Sequence, residues 1–474
     1  MTSAGDRAAA AATATGAAAS DPPASTADAA SDGALRFALA GAVALAVAMG
    51  IGRFAFTPLL PMMLADATID LHGASWLASA NYLGYLVGAL LCTLQPWIWS
   101  RAPSLPPLES PRLVRVGLAA TGALTLGMAL PWPGAWPALR FLAGMASSLV
   151  FVYGSAWCLG QLARHGASRL GGVMFMGPGA GIVVSGLFAS ALVAWHARAA
   201  VGWFIFGLLA SALGAGVWRT FRSERTVAGG SIAGATSRSA SKPSTLKSSA
   251  LPKAPEPESF HGAPEIALLA FTYGLAGLGY IVTATFLPVI ARAALPASPW
   301  LDFFWPIFGA GVIVGALLSS RMRMSGDMRL LIAGAYVIQA IGIAASLVSP
   351  TLAGFAVGSL LLGLPFTAIT FFAMQEVRRV RPLRAAGTTG LLTVVWSLGQ
   401  IAGPPLASAM VRRTGSAAAG FTLALEIAVG VLVFGALLCV AMSRLYPMRA
   451  ASNATPPSPM RSPAAATIQG PRED

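Results

Sequence analysis

Few side chains in this sequence can do chemistry within the apolar runs that make up most of it. Two are arginines. Arg53 lies in Met49-Gly50-Ile51-Gly52-Arg53-Phe54-Ala55-Phe56-Thr57-Pro58-Leu59-Leu60-Pro61, and Arg140 opens Arg140-Phe141-Leu142-Ala143-Gly144. A guanidinium in apolar surroundings either meets an anion in a wet cavity or donates to backbone carbonyls. The carboxylates near such runs are Asp302, Glu376 and Glu426. A carboxyl group that titrates at membrane depth is what proton coupling normally requires. Enzymatic chemistry has little to work with. The histidines His72, His165, His196 and His261 fall in loops or at helix ends, and no HExxH occurs. Cys92, Cys158 and Cys439 sit singly inside apolar runs and read as small hydrophobic residues. The only lysines, Lys242, Lys247 and Lys253, do not follow a glycine, so there is no P-loop. The expectation is no catalytic cluster, no metal site and no cofactor.

These residues are carried by a chain for which lipid is the fitting solvent. Of 474 residues, 56% are hydrophobic and 10% charged, with mean hydropathy +0.70. A soluble domain carries about 25% charged residues. The net charge of +14 does not indicate nucleic-acid binding. Its basic residues fall between apolar runs, whereas a nucleic-acid footprint clusters on one face.

A membrane span needs about 20 mostly apolar residues. Twelve such runs are expected: 35–62, 74–95, 113–131, 136–160, 170–194, 199–218, 266–290, 299–320, 330–349, 352–375, 387–410 and 418–442. They divide the chain into a tail, 1–33, a six-helix half, 34–218, a basic linker, 219–264, a second six-helix half, 265–443, and a tail, 444–474. With the N-terminus in the cytoplasm, the cytoplasmic segments hold 25 of the 31 Lys/Arg; the other six are Arg53, Arg140, Arg198, Arg292, Arg412 and Arg413. That bias predicts both termini inside, in a cell's inner membrane. Trp76, Trp97, Trp132, Trp136, Trp195, Trp218 and Trp300 fall near span ends, where amphipathic rings prefer to sit.

The halves repeat. GIGRFAFTPLLP at 50–61 aligns with GLGYIVTATFLP at 277–288, and VGALL at 87–91 recurs at 314–318, both at an offset of 227. Gly177-Pro178 recurs as Gly403-Pro404 at 226. The matches join helix one with seven, two with eight and five with eleven. Six plus six helices in a parallel repeat is a transporter architecture.

The first-helix segment 49–61 resembles the YbfB/YjiJ-like branch of the major facilitator superfamily. So do Ala80-Asn81-Tyr82-Leu83-Gly84-Tyr85, Arg140-Phe141-Leu142-Ala143-Gly144 and Tyr273-Gly274-Leu275-Ala276-Gly277-Leu278-Gly279-Tyr280. The likeness covers roughly 35–443. It implies an all-α membrane protein of twelve helices in two pseudo-symmetric bundles, with spans one, four, seven and ten lining a central cavity. Ala143 stands where the superfamily's span-four motif commonly has Gln. Gly177-Pro178-Gly179-Ala180-Gly181 resembles the span-five motif of proton antiporters, yet the Gly-Pro in span eleven allows a packing role for Gly177, Pro178, Gly403 and Pro404. The superfamily's loop motif between spans two and three is not visible in the Pro-rich stretch 96–112.

The expected function is secondary transport of a small organic molecule, anionic or amphipathic, by a proton-coupled monomeric symporter or antiporter. The candidate substrate contacts are Arg53, Arg140, Thr57, Asn81, Tyr85, Tyr273, Tyr280, Thr283 and Thr370, with Thr367 and Gln375 beside them. Glu426 and Asp302 are the candidate coupling groups, and Glu376 is expected to pair with Arg379. For each arginine, tying helices together through carbonyls is the alternative. A sensor on a transporter-like scaffold is the rival class, disfavoured by a linker with no aromatic-rich core.

Overall fold

The computed structural model describes residues 24–101, 109–222, 263–322, 326–381 and 385–447. The tail 1–23, the linker residues 223–262, the loop residues 102–108 and the tail 448–474 lie outside the described residues. The regular structure of the described residues is entirely helical.

Among the described residues, 11 helices are long and apolar enough to cross a membrane. They are α1 (Gly33–Ala65), α2 (Leu71–Gln95), α4 (Pro133–Arg164), α5 (Gly171–Ala194), α6 (Ala199–Val217), α7 (Ala263–Ala294), α8 (Pro299–Arg321), α9 (Met328–Val348), α10 (Leu352–Val380), α11 (Thr388–Thr414) and α12 (Ala417–Leu445). The expected third span coincides with α3 (Ser110–Gly127), a helix of 18 residues. Arg112 and Arg115 in its first two turns shorten its apolar stretch, so it falls outside the set of 11. Helix precedes α1 from Ala24, inside the expected tail. The Ala-rich sequence there favours it, since alanine loses no side-chain entropy in a helix.

Helix packing follows the repeat. Among the most extensive contacts are α2 with α4, α7 with α11, α9 with α12, α2 with α11, α5 with α8, α3 with α6, and α8 with α10. Moving each helix six places turns α2–α4 into α8–α10, α3–α6 into α9–α12, and α2–α11 into α8–α5. Small residues set the approach. A Cβ on Gly84 would strike the Phe141 carbonyl, and one on Gly144 the Asn81 carbonyl. In the second half a Cβ on Gly311 would strike Leu360, one on Gly315 Leu364, and one on Gly363 Phe308. Without side chains, helix backbones approach closely enough for extensive dispersion contact, which is what holds helices together in lipid.

The pairing Gly144/Gly363 carries an offset of 219, eight less than Gly88/Gly315. From Gly88 to Gly144 is 56 residues and from Gly315 to Gly363 is 48. The connecting segments differ in length, so α4 and α10 leave the register that α1/α7 and α2/α8 keep. Arg140 corresponds at this offset to Ser359.

One buried cation ties four helices of the second half. Arg329 reaches Glu265 at 3.0 Å, Asp327 at 2.8 Å and Glu376 at 3.6 Å. It also donates to the carbonyls of Met442 (3.1 Å) and Tyr446 (2.8 Å). The expected Arg379–Glu376 pair is present at 2.9 Å. Burial would raise the Asp327 carboxyl, but hydrogen bonds and charge from Arg329, with Arg379 behind, hold it below its ordinary value. Six of the seven tryptophans placed at span ends are exposed there, while Trp136 is buried, its indole N–H donating to the Leu130 carbonyl at 3.2 Å.

Gly315→Leu should lower the unfolding temperature and the folded yield in detergent, because the backbone of Leu364 occupies the space and overpacking costs about 1–3 kcal/mol or more. Gly430→Leu should leave both unchanged, since nothing lies within 4 Å of its Cβ position. Equal effects in the two variants would contradict the close-packing account.

Candidate functional site

The site begins with a break in α1. Ala46–Arg53 is π-helical, with the Phe54 N–H donating five residues back to Met49 at 3.0 Å. Pro58 has no N–H to give Phe54. The Thr57 N–H binds the Phe54 carbonyl at 3.2 Å, in place of the usual bond to Arg53. Two carbonyls then need outside donors, and Arg140 supplies them. Its Nη1 donates to Gly52 at 3.2 Å and its Nη2 to Arg53 at 3.1 Å. Ser147, on the same face of α4, donates to the Ala48 carbonyl at 2.7 Å. Asn81 of α2 in turn donates to the Arg140 carbonyl at 2.9 Å. Arg140 is thus buried, with Phe56 5.0 Å and Trp203 6.0 Å from its guanidinium carbon. It lies inside the helix packing and does not reach outward.

The Arg53 side chain turns the other way. It is 3% exposed. Its Nη2 donates to the Gln400 side-chain oxygen on α11, and its Nε has no hydrogen-bond partner. The guanidinium carbon lies 4.1 Å from the centre of the Tyr85 ring, 5.3 Å from Tyr82 and 5.5 Å from Phe54. Among the described residues no carboxylate pairs with it. Gln400 continues the chain by donating to the Tyr280 hydroxyl on α7. Tyr280 stacks on Trp396 at 5.3 Å and meets Phe366 edge-on at 5.2 Å. Tyr273 lies 4.6 Å from Trp396 and donates to Thr370 at 3.0 Å. The result is a cation in an aromatic enclosure, with hydroxyls and an amide from the opposite half.

The remaining sequence candidates take other places. Thr57 donates to the Ala284 carbonyl at 2.9 Å, a residue 227 later and therefore its repeat equivalent. The hydroxyls of Thr283 and Thr367 are buried without a partner among the described residues. Asp302 pairs with Arg292, and its backbone carbonyl accepts from Ser190 of α5 at 3.3 Å. It stands apart from Arg53. Glu426, expected as a charge buried midway along the last span, is exposed on the outer face of α12 beside exposed Thr422 and has no partner among the described residues. Gly177 abuts the backbone of Ala42 on α1, and Gly403 abuts Ile281 on α7, so both Gly-Pro steps mark close approaches between repeat-related helices, at different heights along them; Pro178 and Pro404 lie within α5 and α11.

Sequence reasoning missed Gln400, Trp396 and Tyr82. Trp396 and Gln400 stand four apart on one stripe of α11, one turn before Gly403-Pro404. A polar amide in an apolar run was the available signal. For the π-turn the only signal was the pair of prolines C-terminal to it.

An all-helical architecture of membrane-spanning lengths, with contacts that repeat six helices on, is that of the major facilitator transporters. Residues 45–441 match the family described as "Uncharacterised MFS-type transporter YbfB", and the chain belongs to it. It is therefore a multi-pass membrane protein of a transporter family. No curated protein matches the sequence. Among solved structures the chain is similar to the crystal structure of a mutant of the nucleoside transporter NupG, with TM-score 0.63 and 14% identity, over 86% of this chain and 99% of that one. At that identity the likeness is one of fold.

The two arginines should separate in stability measurements. Arg140→Met leaves two buried carbonyls unpaired, at about 1–3 kcal/mol each, and should lower the unfolding temperature clearly. Arg53→Met removes a buried charge that no carboxylate balances, and should leave the temperature unchanged or raise it. The reverse order would assign the helix-tying role to Arg53.

Proposed function

We propose that the protein is a secondary active transporter of a small organic anion, driven by protons and working as a monomer. The reading divides the chain into two six-helix halves, 34–218 and 265–443, twelve spans in all with α3 as the third. Both termini lie in the cytoplasm and the bilayer is the inner membrane, in keeping with the Lys/Arg bias. The halves move against each other about a central site on Arg53, opening it first to one side and then to the other.

The observation that carries the proposal is the Arg53 guanidinium, buried with no carboxylate partner among the described residues. An arginine at mid-membrane costs about 2.5–3.5 kcal/mol on insertion scales. A structural arginine recovers that through carbonyl bonds, as Arg140 does. Arg53 has only neutral acceptors, Gln400 and the Tyr85 hydroxyl, and a free Nε. A carboxylate or phosphate would accept charge-assisted bonds, roughly twice as strong as neutral ones, and would displace Gln400. The rings of Tyr85, Tyr280, Tyr273 and Trp396 suit an apolar body on the same ligand, with Thr370 and Thr283 to orient it. Nucleosides, named for the structural neighbour, are neutral and give the cation no such reason.

For coupling we favour Asp302 over Glu426. Asp302 is partly buried against Arg292 of α7, and its backbone carbonyl accepts from Ser190 of α5, so its protonation would break an ion pair within the second half, next to a contact between the halves. Glu426 faces outward.

Uptake of a panel of small carboxylates and one nucleoside into proteoliposomes with an imposed pH gradient tests this. Arg53→Ala and Arg53→Lys should each lower carboxylate uptake about tenfold or more, since a charge-assisted bond is worth about 1.5–3 kcal/mol. Near-normal rates in both, or nucleoside uptake alone, would overturn the anion reading. Asp302→Asn should abolish the dependence on the pH gradient while Glu426→Gln keeps it; the opposite result would move coupling to Glu426.

A further inference from the structure

Two grooves open on the outer surface of the first half, at the end where the chain leaves for 223–262. The first, about 520 Å³, runs between α3 and α6 along Leu118, Ala123, Leu126 and Gly214, and ends at Trp218, Arg219 and Arg222. The second, also about 520 Å³, runs between α1 and α6 along Leu39, Val43 and Val217, and ends at Arg36 and again at Arg219. One arginine therefore closes two apolar slots.

The arginines at this end are not all alike. Arg115 is committed: its Nε donates to the Phe221 carbonyl, and its guanidinium carbon lies 5.6 Å from the Trp218 ring. Arg112 pairs with Glu109 at 3.1 Å. Arg219 and Arg222 are exposed and have no ion-pair partner among the described residues. The Arg115 bond fixes the turn that carries them.

We propose that this place binds an anionic glycerophospholipid, its phosphate at Arg219 and Arg222 and its acyl chains in the two grooves. The slots lie beside membrane-spanning helices, where the apolar molecules available are lipid chains. Two slots converging on one cationic point match a two-chained amphiphile with one anionic head. The carboxyl end of α6 opposes an anion with about half a negative charge, against two full positive charges from the arginines. Trp218 stands at the boundary, where indole rings favour the headgroup layer. Basic pockets between transmembrane helices are a recognised form of headgroup site. The proposal does not depend on the role of Arg53.

The test uses the full chain purified in detergent, with native mass spectrometry and thermal unfolding. Phosphatidylglycerol should stay bound and raise the unfolding temperature; phosphatidylethanolamine of the same chains and inorganic phosphate should do neither. The double variant Arg219→Gln/Arg222→Gln should lower phosphatidylglycerol retention at least fivefold, while Arg378→Gln/Arg444→Gln, which removes two exposed arginines elsewhere, should leave it unchanged. Ala123→Phe, at an exposed position, should fill the α3–α6 groove and lower retention with both arginines intact. Equal retention of the two lipids would overturn the proposal, as would retention unchanged in both the double variant and Ala123→Phe. A shift reproduced by phosphate alone would make this a bare anion site and overturn it too.

Discussion

The hydrogen bonds from Arg140 to the carbonyls of Gly52 and Arg53 are the contact on which the centre of this molecule depends. Lipid offers no donors or acceptors, so a helix that leaves its ladder must be repaired by protein. Pro58 removes one donor from α1, and the π-turn before it shifts several more. Arg140 and Ser147 of α4 fill the gaps from one face, at 2.7–3.2 Å. Asn81 fixes the backbone of Arg140 from behind. The helices α2, α4 and α1 are held together because each satisfies a group that would otherwise be unpaired in a low-dielectric interior.

That repair determines where Arg53 points. A π-turn adds a residue to the turn and rotates the helix beyond it, and such turns concentrate at functional positions. Here the rotation aims Arg53 away from the carbonyls that Arg140 holds and toward α11. The two arginines look alike in sequence. Their roles divide because one is spent on backbone and the other on side chains of the opposite half. A lysine at 140 would not serve as well, since two carbonyls in fixed positions suit a planar fork of donors.

Much of this is legible in the sequence. Long apolar runs mark 11 of the helices directly, because length and hydropathy are all that a spanning helix must satisfy. Gly84 and Gly88, and the VGALL repeat, mark the surfaces where helices touch, since only glycine leaves the space. Arg53 and Arg140 stand out because charge in an apolar run is costly. The hidden part is the part that depends on distant chain. Gln400 is 347 residues from Arg53, and a neutral amide in a mostly apolar helix carries no periodic signature. Glu426 reads as a buried charge only while its direction around α12 is unknown. The 219 offset of α4 and α10 is masked by connections of unequal length.

The asymmetry between the halves has a physical consequence. At the repeat position of Arg53 stands Tyr280, and at that of Arg140 stands Ser359. The second half thus meets the cation with an amide and a phenol, linked to each other. A carboxylate at either place would have formed a buried ion pair across the halves, and breaking such a pair leaves an uncompensated charge at about 3–5 kcal/mol. The two halves would have been fastened at their centre. A neutral acceptor makes a bond of ordinary strength, about 0.5–3 kcal/mol, which an arriving anion can replace. The same neutrality leaves the Arg53 charge unbalanced among the described residues. A weak bond across the halves and an unbalanced cation are therefore one feature, fixed by the residue types at 53, 280 and 400, and the proposed anion site rests on it.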